Sequence, residues 1–381
     1  MHILFISEFF PSLTKPIFSG GVEARSYYIA TNLAKKHTVI VLARKKSGEL
    51  ALEQNGNITI KRFGSEISDT KASITSLFSR LCYVFWVVWQ GFDLKQIDII
   101  EAANFVTYIP ASLLGIIKKV PTLAFYPDVL LGVWQKQFGF FLGLIGEISE
   151  RISLLLPWTR FIVTDVSVLK KLEKAGIVKN KIALIPCGVD ISKIRPYCQV
   201  KKDKKLLLVV SRLTAYKRVD WAIKLMSKIS DQQVKLGIIG SGPQENTLKQ
   251  MVKRMKLTNR VWFKKNLDQK TLYTTMAKAQ LLIHPSLIEG FGIVLVEAAA
   301  LGAPALVADI PTSQTFVKTL GSVELFEKDN FADFISKAQS LLKNQEKIRQ
   351  LRDNGLKKVA VYNWEKIANE TENLYQLCLK K

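Results

Sequence analysis

Twelve short apolar runs, separated by amphipathic stretches, set the tightest limit on what this chain can fold into. Seven lie in the first half, at Ile3–Ser7, Thr38–Leu42, Ile58–Arg62, Ile97–Glu101, Thr122–Tyr126, Phe161–Thr164 and Lys181–Ile185. Five follow at Leu206–Ser211, Val234–Ile239, Val261–Phe263, Leu281–His284 and Ala305–Ala308. Strand-sized runs that alternate with helical patterns predict crossover connections and parallel sheets, an α/β protein. The charged segment Val200-Lys-Lys-Asp-Lys-Lys205 falls between the two series and marks a domain boundary, with one domain over 1–198 and a second from 199. The 381 residues, 48% of them hydrophobic, are enough material for two domains of ordinary size. There is no internal repeat and no low-complexity tract.

Cys82, Cys187, Cys198 and Cys378 show no metal-ligand spacing, so neither a zinc site nor a disulfide framework is expected. Met1-His-Ile-Leu already begins the first strand, which leaves no room for a signal peptide ahead of it. Idle thiols and no signal peptide point to a reducing, cytoplasmic setting. The net charge is +23. Residues 1–190 hold 22 basic and 15 acidic residues, the rest 33 and 17, so the second part is the more basic. Nucleic acid is one partner class for such a chain. Against it, there is no helix-turn-helix, finger or aromatic RNA-binding signature, and the lysines are dispersed. Anionic lipid headgroups and a sugar nucleotide account for the charge equally well.

The candidate chemistry lies in the second series. Glu289-Gly-Phe-Gly-Ile-Val-Leu-Val-Glu297 places two carboxylates eight positions apart. Along one helix they would lie about 80° apart around the axis and roughly 12 Å apart along it. A start at Gly290-Phe291-Gly292 would offer backbone N–H groups and partial positive charge to a phosphate. A ligand with a sugar-like end at Glu289, a diphosphate over the helix start and a ribose at Glu297 fits these dimensions. A capped amphipathic helix with two solvated acids fits them too. Upstream, Arg212 and Lys217 follow a strand end, a planar fork and a mobile point charge for phosphate oxygens. Gly240-Ser-Gly242-Pro243 ends the next strand in a tight turn where backbone can approach a ligand closely.

In this order, Arg-x4-Lys, Gly-x-Gly-Pro, Pro-Ser-x-x-Glu-Gly-Phe-Gly and Glu-x7-Glu, the chain from Leu206 to Pro304 resembles the family 4 glycosyltransferases, the glycosyl transferases group 1. Ser19-Gly-Gly-Val-Glu23 and Ile185-Pro-Cys-Gly-Val-Asp190 extend the resemblance more thinly into the first half. It implies the GT-B fold, two doubly wound Rossmann-like domains facing across a cleft. The first domain would lie on the acceptor side, and 199–362 would bind the nucleotide sugar. Asn363-Trp364-Glu365 looks like the start of the family's last helix, 363–381, packing back towards the first domain. Arg212, Lys217 and Glu289 would be catalytic, with Gly20, Gly21, Gly240, Gly242, Gly290, Phe291, Gly292 and Glu297 binding the donor, UDP- or GDP-linked. Glu289 would hold the sugar hydroxyls and Glu297 the ribose. The family retains anomeric configuration by attack on one face, the leaving phosphate accepting the acceptor's proton, and no metal or other cofactor is implied.

The chain departs from its relatives at three places. A His common after the strand at Thr122–Tyr126 is replaced by Pro127-Asp128, where Asp128 is either an acceptor ligand or a turn former. Phe263-Lys264-Lys265 replaces Phe-x-Gly and leaves the base open; Ser313 and Gln314 stand where relatives have Glu. Leu77–Phe92, uncharged from Leu81, and the run Phe138–Gly146 are too short to span a bilayer. Both fit helices lying on a membrane surface as well as core helices. The resulting expectation is a transferase acting on a glycan or lipid-linked acceptor, peripheral on the inner face of the cell membrane. A soluble sugar acceptor, a sugar-nucleotide binder without turnover and a basic nucleic-acid binder are the competing readings.

Overall fold

The computed structural model describes residues 1–18, 20–67, 74–135 and 139–380; Ser19, Phe138 and the side chain of Leu77 lie outside the described residues. The chain divides into two compact units. The first comprises Met1–Cys187 with the C-terminal segment from Trp364, the second Gly188–Asn363.

In the first unit the elements run β1 (His2–Phe9), α1 (Gly21–Leu33), β2 (Thr38–Lys46), β3 (Leu52–Asn55), β4 (Ile58–Ile67), α2 (Ile74–Asp93), β5 (Ile99–Ala102), α3 (Phe105–Lys118), β6 (Thr122–Tyr126), α4 (Phe140–Leu155), β7 (Arg160–Val163), α5 (Val166–Lys174) and β8 (Ile182–Leu184). The sheet order is β3-β4-β2-β1-β5-β6-β7-β8, parallel except for the β3–β4 pair. Strand β1 is flanked by β2 and β5, so the winding direction reverses beside it. Alternate strand residues Leu4, Ile6, Ile100 and Ala102 pack with the inward side chains Tyr83 and Val87 of α2, Tyr108 and Leu114 of α3, and Leu154 of α4.

The second unit continues with α6 (Ile191–Ile194), β9 (Asp203–Val210), α7 (Val219–Met226), β10 (Lys235–Ile239), α8 (Glu245–Arg254), β11 (Val261–Lys264), α9 (Gln269–Lys278), β12 (Ala279–His284), α10 (Ile293–Ala300), β13 (Ala305–Ala308), α11 (Pro311–Thr319), β14 (Val323–Phe326), α12 (Phe331–Lys343) and α13 (Gln345–Lys358). Its six strands are all parallel, in the order β11-β10-β9-β12-β13-β14. Leu207, Val209, Leu236 and Ile238 enter one core cluster with α7, α8 and α12. The intervening Leu206 and Leu208 are buried too. Burial on both faces explains why these strands read as continuous apolar runs rather than alternating ones.

The division falls at Gly188 rather than after residue 198. Val189 N donates to Tyr362 O at 2.7 Å and Cys198 Sγ to Ala300 O at 3.2 Å, which fastens the intervening segment to the second unit. Helix α14 (Trp364–Leu379) belongs to the first unit. Trp364 stacks on Tyr28 at 5.2 Å, and Tyr375 Oη donates to Glu101 Oε2 at 2.6 Å. The other oxygen of Glu101 accepts from Arg25 at 2.5 Å, an ion pair with no exposed surface. Burial disfavours the charge on Arg25, but Glu101 more than offsets this and raises the guanidinium's pKa.

Candidate functional site

Strand order fixes where a site can form in the second unit. Strand β9 lies between β10 and β12, so the winding direction reverses there and the loops after β9 and β12 leave the sheet side by side. Leu287 N donates to Tyr216 O at 2.9 Å and locks the two loops together. The third loop, after β10, is clamped to the first: Leu213 N donates to Ser241 O at 2.8 Å and Gln244 N to Leu213 O at 2.9 Å. This clamp requires the glycines. Gly240 has φ +147°, and a Cβ there would lie 1.9 Å from Ser211 O; at Gly242, φ +159°, it would lie 2.5 Å from Leu213 O. Their first task is therefore to bring the Arg212-bearing loop close to the β10 turn.

The locked loops deliver three side chains to one point. Lys217 Nζ donates to Glu289 Oε1, and His284 Nε2 lies 2.5 Å from the same oxygen. A carboxylate only accepts, so Nε2 carries the hydrogen. Burial alone would raise the pKa of Glu289, but the charges and hydrogen bonds of Lys217 and His284 outweigh it and hold the acid well below the usual range. Glu289 is thus a fixed anion. Among the described residues both donors reach Oε1 rather than Oε2. Thr312 Oγ1 donates to Glu289 O at 3.0 Å and holds the backbone in place.

Glu289 does not sit on the helix that carries Glu297. Helix α10 begins only at Ile293, after Gly292 in the left-handed region at φ 84° and ψ 50°. The helical angle and rise between the two acids therefore do not apply. The Phe291 ring is buried, 5.4 Å from Phe316 and 6.0 Å from Tyr362, and anchors the loop that carries the Gly290–Gly292 backbone. Glu297 projects from α10 with a hydrogen bond from Tyr273. Burial pushes its carboxyl up to about 7, a shift the Tyr273 bond only partly opposes. Arg212 is exposed and donates to Tyr216 Oη at 2.8 Å. In the same loop the hydroxyls of Ser211 and Thr214 are buried with no partner among the described residues.

The family model for Glycosyltransferase Family 4 matches residues 19–193, and that for Glycosyl transferases group 1 matches residues 190–358. The chain belongs to the family 4 glycosyltransferases. This family 4 chain is 27% identical over 209 residues to the gpi3 subunit of phosphatidylinositol N-acetylglucosaminyltransferase of Schizosaccharomyces pombe, covering 53% of the chain and 45% of that relative. The chain spans about half the length of the curated relatives it matches. Among solved structures, sucrose-phosphate synthase from Thermosynechococcus elongatus superposes with a TM-score of 0.78 at 22% identity, covering 99% of this chain and 98% of that one. HepE from Anabaena, in complex with UDP-glucose, superposes with a TM-score of 0.75 at 20% identity, covering 99% and 100%. These likenesses establish the GT-B fold, two Rossmann-like units each built on a parallel sheet.

The remaining expected residues of this family 4 chain lie in the first unit. Gly20 caps α1 in extended conformation, with nothing within 4 Å of an added Cβ, and Gly21 opens the helix. Asp128 accepts from its neighbour Val129 N at 2.8 Å and from Lys171 Nζ at 2.5 Å, so a turn and an ion pair already engage it. Beside it, the wholly buried Glu150 accepts from Trp134 Nε1 at 2.6 Å and from Leu130 N at 3.1 Å, which pins the 128–134 loop. Sequence reasoning missed His284, Tyr273 and Glu150 as site or loop-holding residues. The one local signal was His284 at a strand end, five residues before Glu289.

Proposed function

We propose that the protein is a retaining glycosyltransferase that moves a sugar from a UDP- or GDP-linked donor to a lipid-linked glycan or related precursor at a membrane surface. The observation that carries this reading is the Lys217–Glu289–His284 cluster at the reversal point of the second sheet. Glu289 is held ionised, so it accepts sugar hydroxyls and is unsuited to protonating a leaving group. The bond between the anomeric carbon and the phosphate oxygen breaks, with its electron pair going to the diphosphate. Arg212 and Lys217 stabilise that growing charge, work that calls for no metal. The acceptor oxygen attacks the same face and its proton passes to the departing phosphate. The lipid acceptor draws support from the similarity to a relative named for transfer to phosphatidylinositol.

The test combines turnover of radiolabelled sugar nucleotides with calorimetry. Arg212→Ala and Lys217→Ala should each lower kcat by about 10²-fold or more, the scale of one lost oxyanion donor. Glu297→Ala should weaken binding of the nucleotide diphosphate, whereas Glu289→Ala should spare that binding and damage transfer. EDTA should leave turnover intact. Near-normal turnover in both folded cation variants would overturn the reading.

A further inference from the structure

Helices α2, α3 and α4 lie side by side on one face of the first sheet, α2 packed on α3 and α3 on α4. Their inward faces fill the core, and their outward faces are apolar as well. On α2, Phe85 is 76% and Trp89 71% exposed; on α4, Phe141 is 79% and Leu155 86% exposed. On α3, Leu113 and Ile116 point outward, and Leu113 joins Phe85, Trp89 and Phe92 around one apolar depression. Phe78 and Phe140 are similarly bare. At about 150–250 Å² per aromatic side chain, the six outward rings expose on the order of 800 Å². The largest apolar patch on an ordinary monomer is ~300–600 Å².

Helices apolar on all sides are characteristic of burial in a large core or in lipid. Among the described residues no helix is long and apolar enough to cross a membrane. Charge selects the occupant. Residues 81–92, 105–117 and 140–146 carry no charged side chain. Within α4, Arg151 pairs with Glu147 at 2.8 Å. At one end of the face Lys118 Nζ donates to Phe92 O at 2.6 Å and Leu94 O at 2.9 Å, which brings the ends of α2 and α3 together. Exposed Lys95 and Lys119 flank that junction. An uncharged aromatic surface whose edge carries Lys95, Lys118 and Lys119 against the exposed Asp93 is net basic at that edge and matches acyl chains below and anionic headgroups above. Trp is the residue type that settles at that boundary.

The geometry points to a monotopic docking surface: the α2–α3–α4 layer inserts its outward side chains in the plane of an anionic phospholipid bilayer. The surface stands on packing and charge in the first unit and is independent of the donor chemistry. Trp86 only lines the floor of the depression, because its ring packs inward, 5.5 Å from Phe63 and 6.2 Å from Tyr83.

The full chain is sedimented with vesicles of phosphatidylcholine, with and without phosphatidylglycerol, alongside a Phe85→Ser/Trp89→Ser/Phe141→Ser variant. These three side chains are mostly exposed, so the variant should fold and bind UDP or GDP as the parent does. The parent should pellet with the anionic vesicles, and the variant's partition coefficient should fall on the order of tenfold per ring removed. Failure of the parent to pellet, or equal pelleting of parent and variant, would overturn the proposal. So would a parent that forms a dimer broken by the three substitutions and ignores vesicles, since a second copy would then be the occupant. Nucleotide calorimetry on the same samples reports separately on the donor site.

Discussion

Glu289 and Glu297 are two half-buried carboxylates eight residues apart, and their surroundings drive them to opposite states. Around Glu289 the loop after β12 supplies two donors from a strand end and a neighbouring loop, and the acid is a permanent anion. Around Glu297 helix α10 supplies apolar packing and α9 one phenol, that of Tyr273, and the acid rises to about 7. The loop gathers charge because it leaves the sheet beside a second loop, whereas the helix brings mainly its own side chains. Position at a strand reversal, more than spacing in sequence, decides what a carboxylate becomes.

The largest test of this contrast removes the cation from the loop. Lys217→Met should lower stability by about 3–5 kcal/mol, because a buried anion loses its principal partner. Adding Glu289→Gln should recover much of that loss in denaturant titrations. A single substitution that is nearly neutral would mean that Glu289 does not depend on its partners.

Next comes the helix acid. The folded protein binds the Glu297 proton more tightly than the unfolded chain, so stability falls as pH rises from the ordinary 4.5 towards 7. Glu297→Gln mimics the protonated form and should gain up to about 3 kcal/mol near pH 8, a gain that vanishes below about pH 4. An equal gain at both pH values would separate the effect from charge. Glu289 has the opposite sign, its contribution being present above the ordinary carboxylate range and lost as pH falls towards its depressed folded value. The smallest effect should come from Tyr273→Phe, about 1 kcal/mol at alkaline pH. It should move the midpoint of Glu297 upward in melts recorded across pH. A downward or absent shift would remove Tyr273 from the site.

The strands were legible because burial on both faces leaves uninterrupted apolar runs. Strand β3 escaped notice because Leu-Glu-Gln-Asn has a single buried position, the charged Glu53. Strand β14 is only four residues long. Arg212, Lys217 and Glu289 were visible through their spacing after strands. The reading of Glu289 and Glu297 as one helical pair failed at Gly292, since a left-handed glycine can end a helical path that its apolar neighbours suggest. Tyr273 was invisible as a partner because its meeting with Glu297 depends on α9 lying against α10, whereas His284 is local to Glu289 and went unread for want of a motif that pairs the two. The outward apolar faces of α2 and α4 were visible as greasy runs, but only the packing of Tyr83 and Val87 shows which half of α2 the core uses.

The Glu101 carboxylate has a consequence in time. Its first partner, Arg25, is made before it, but its second, Tyr375, follows 274 residues later. At 5–20 residues per second a ribosome takes about 15–55 s to cover that interval. The whole of 188–363 emerges meanwhile and can close on itself, its first and last segments joined by the bond from Val189 N to Tyr362 O. The unit begun first is therefore completed last, and for that time its nascent sheet holds a half-satisfied acid that only the tail of the chain can finish.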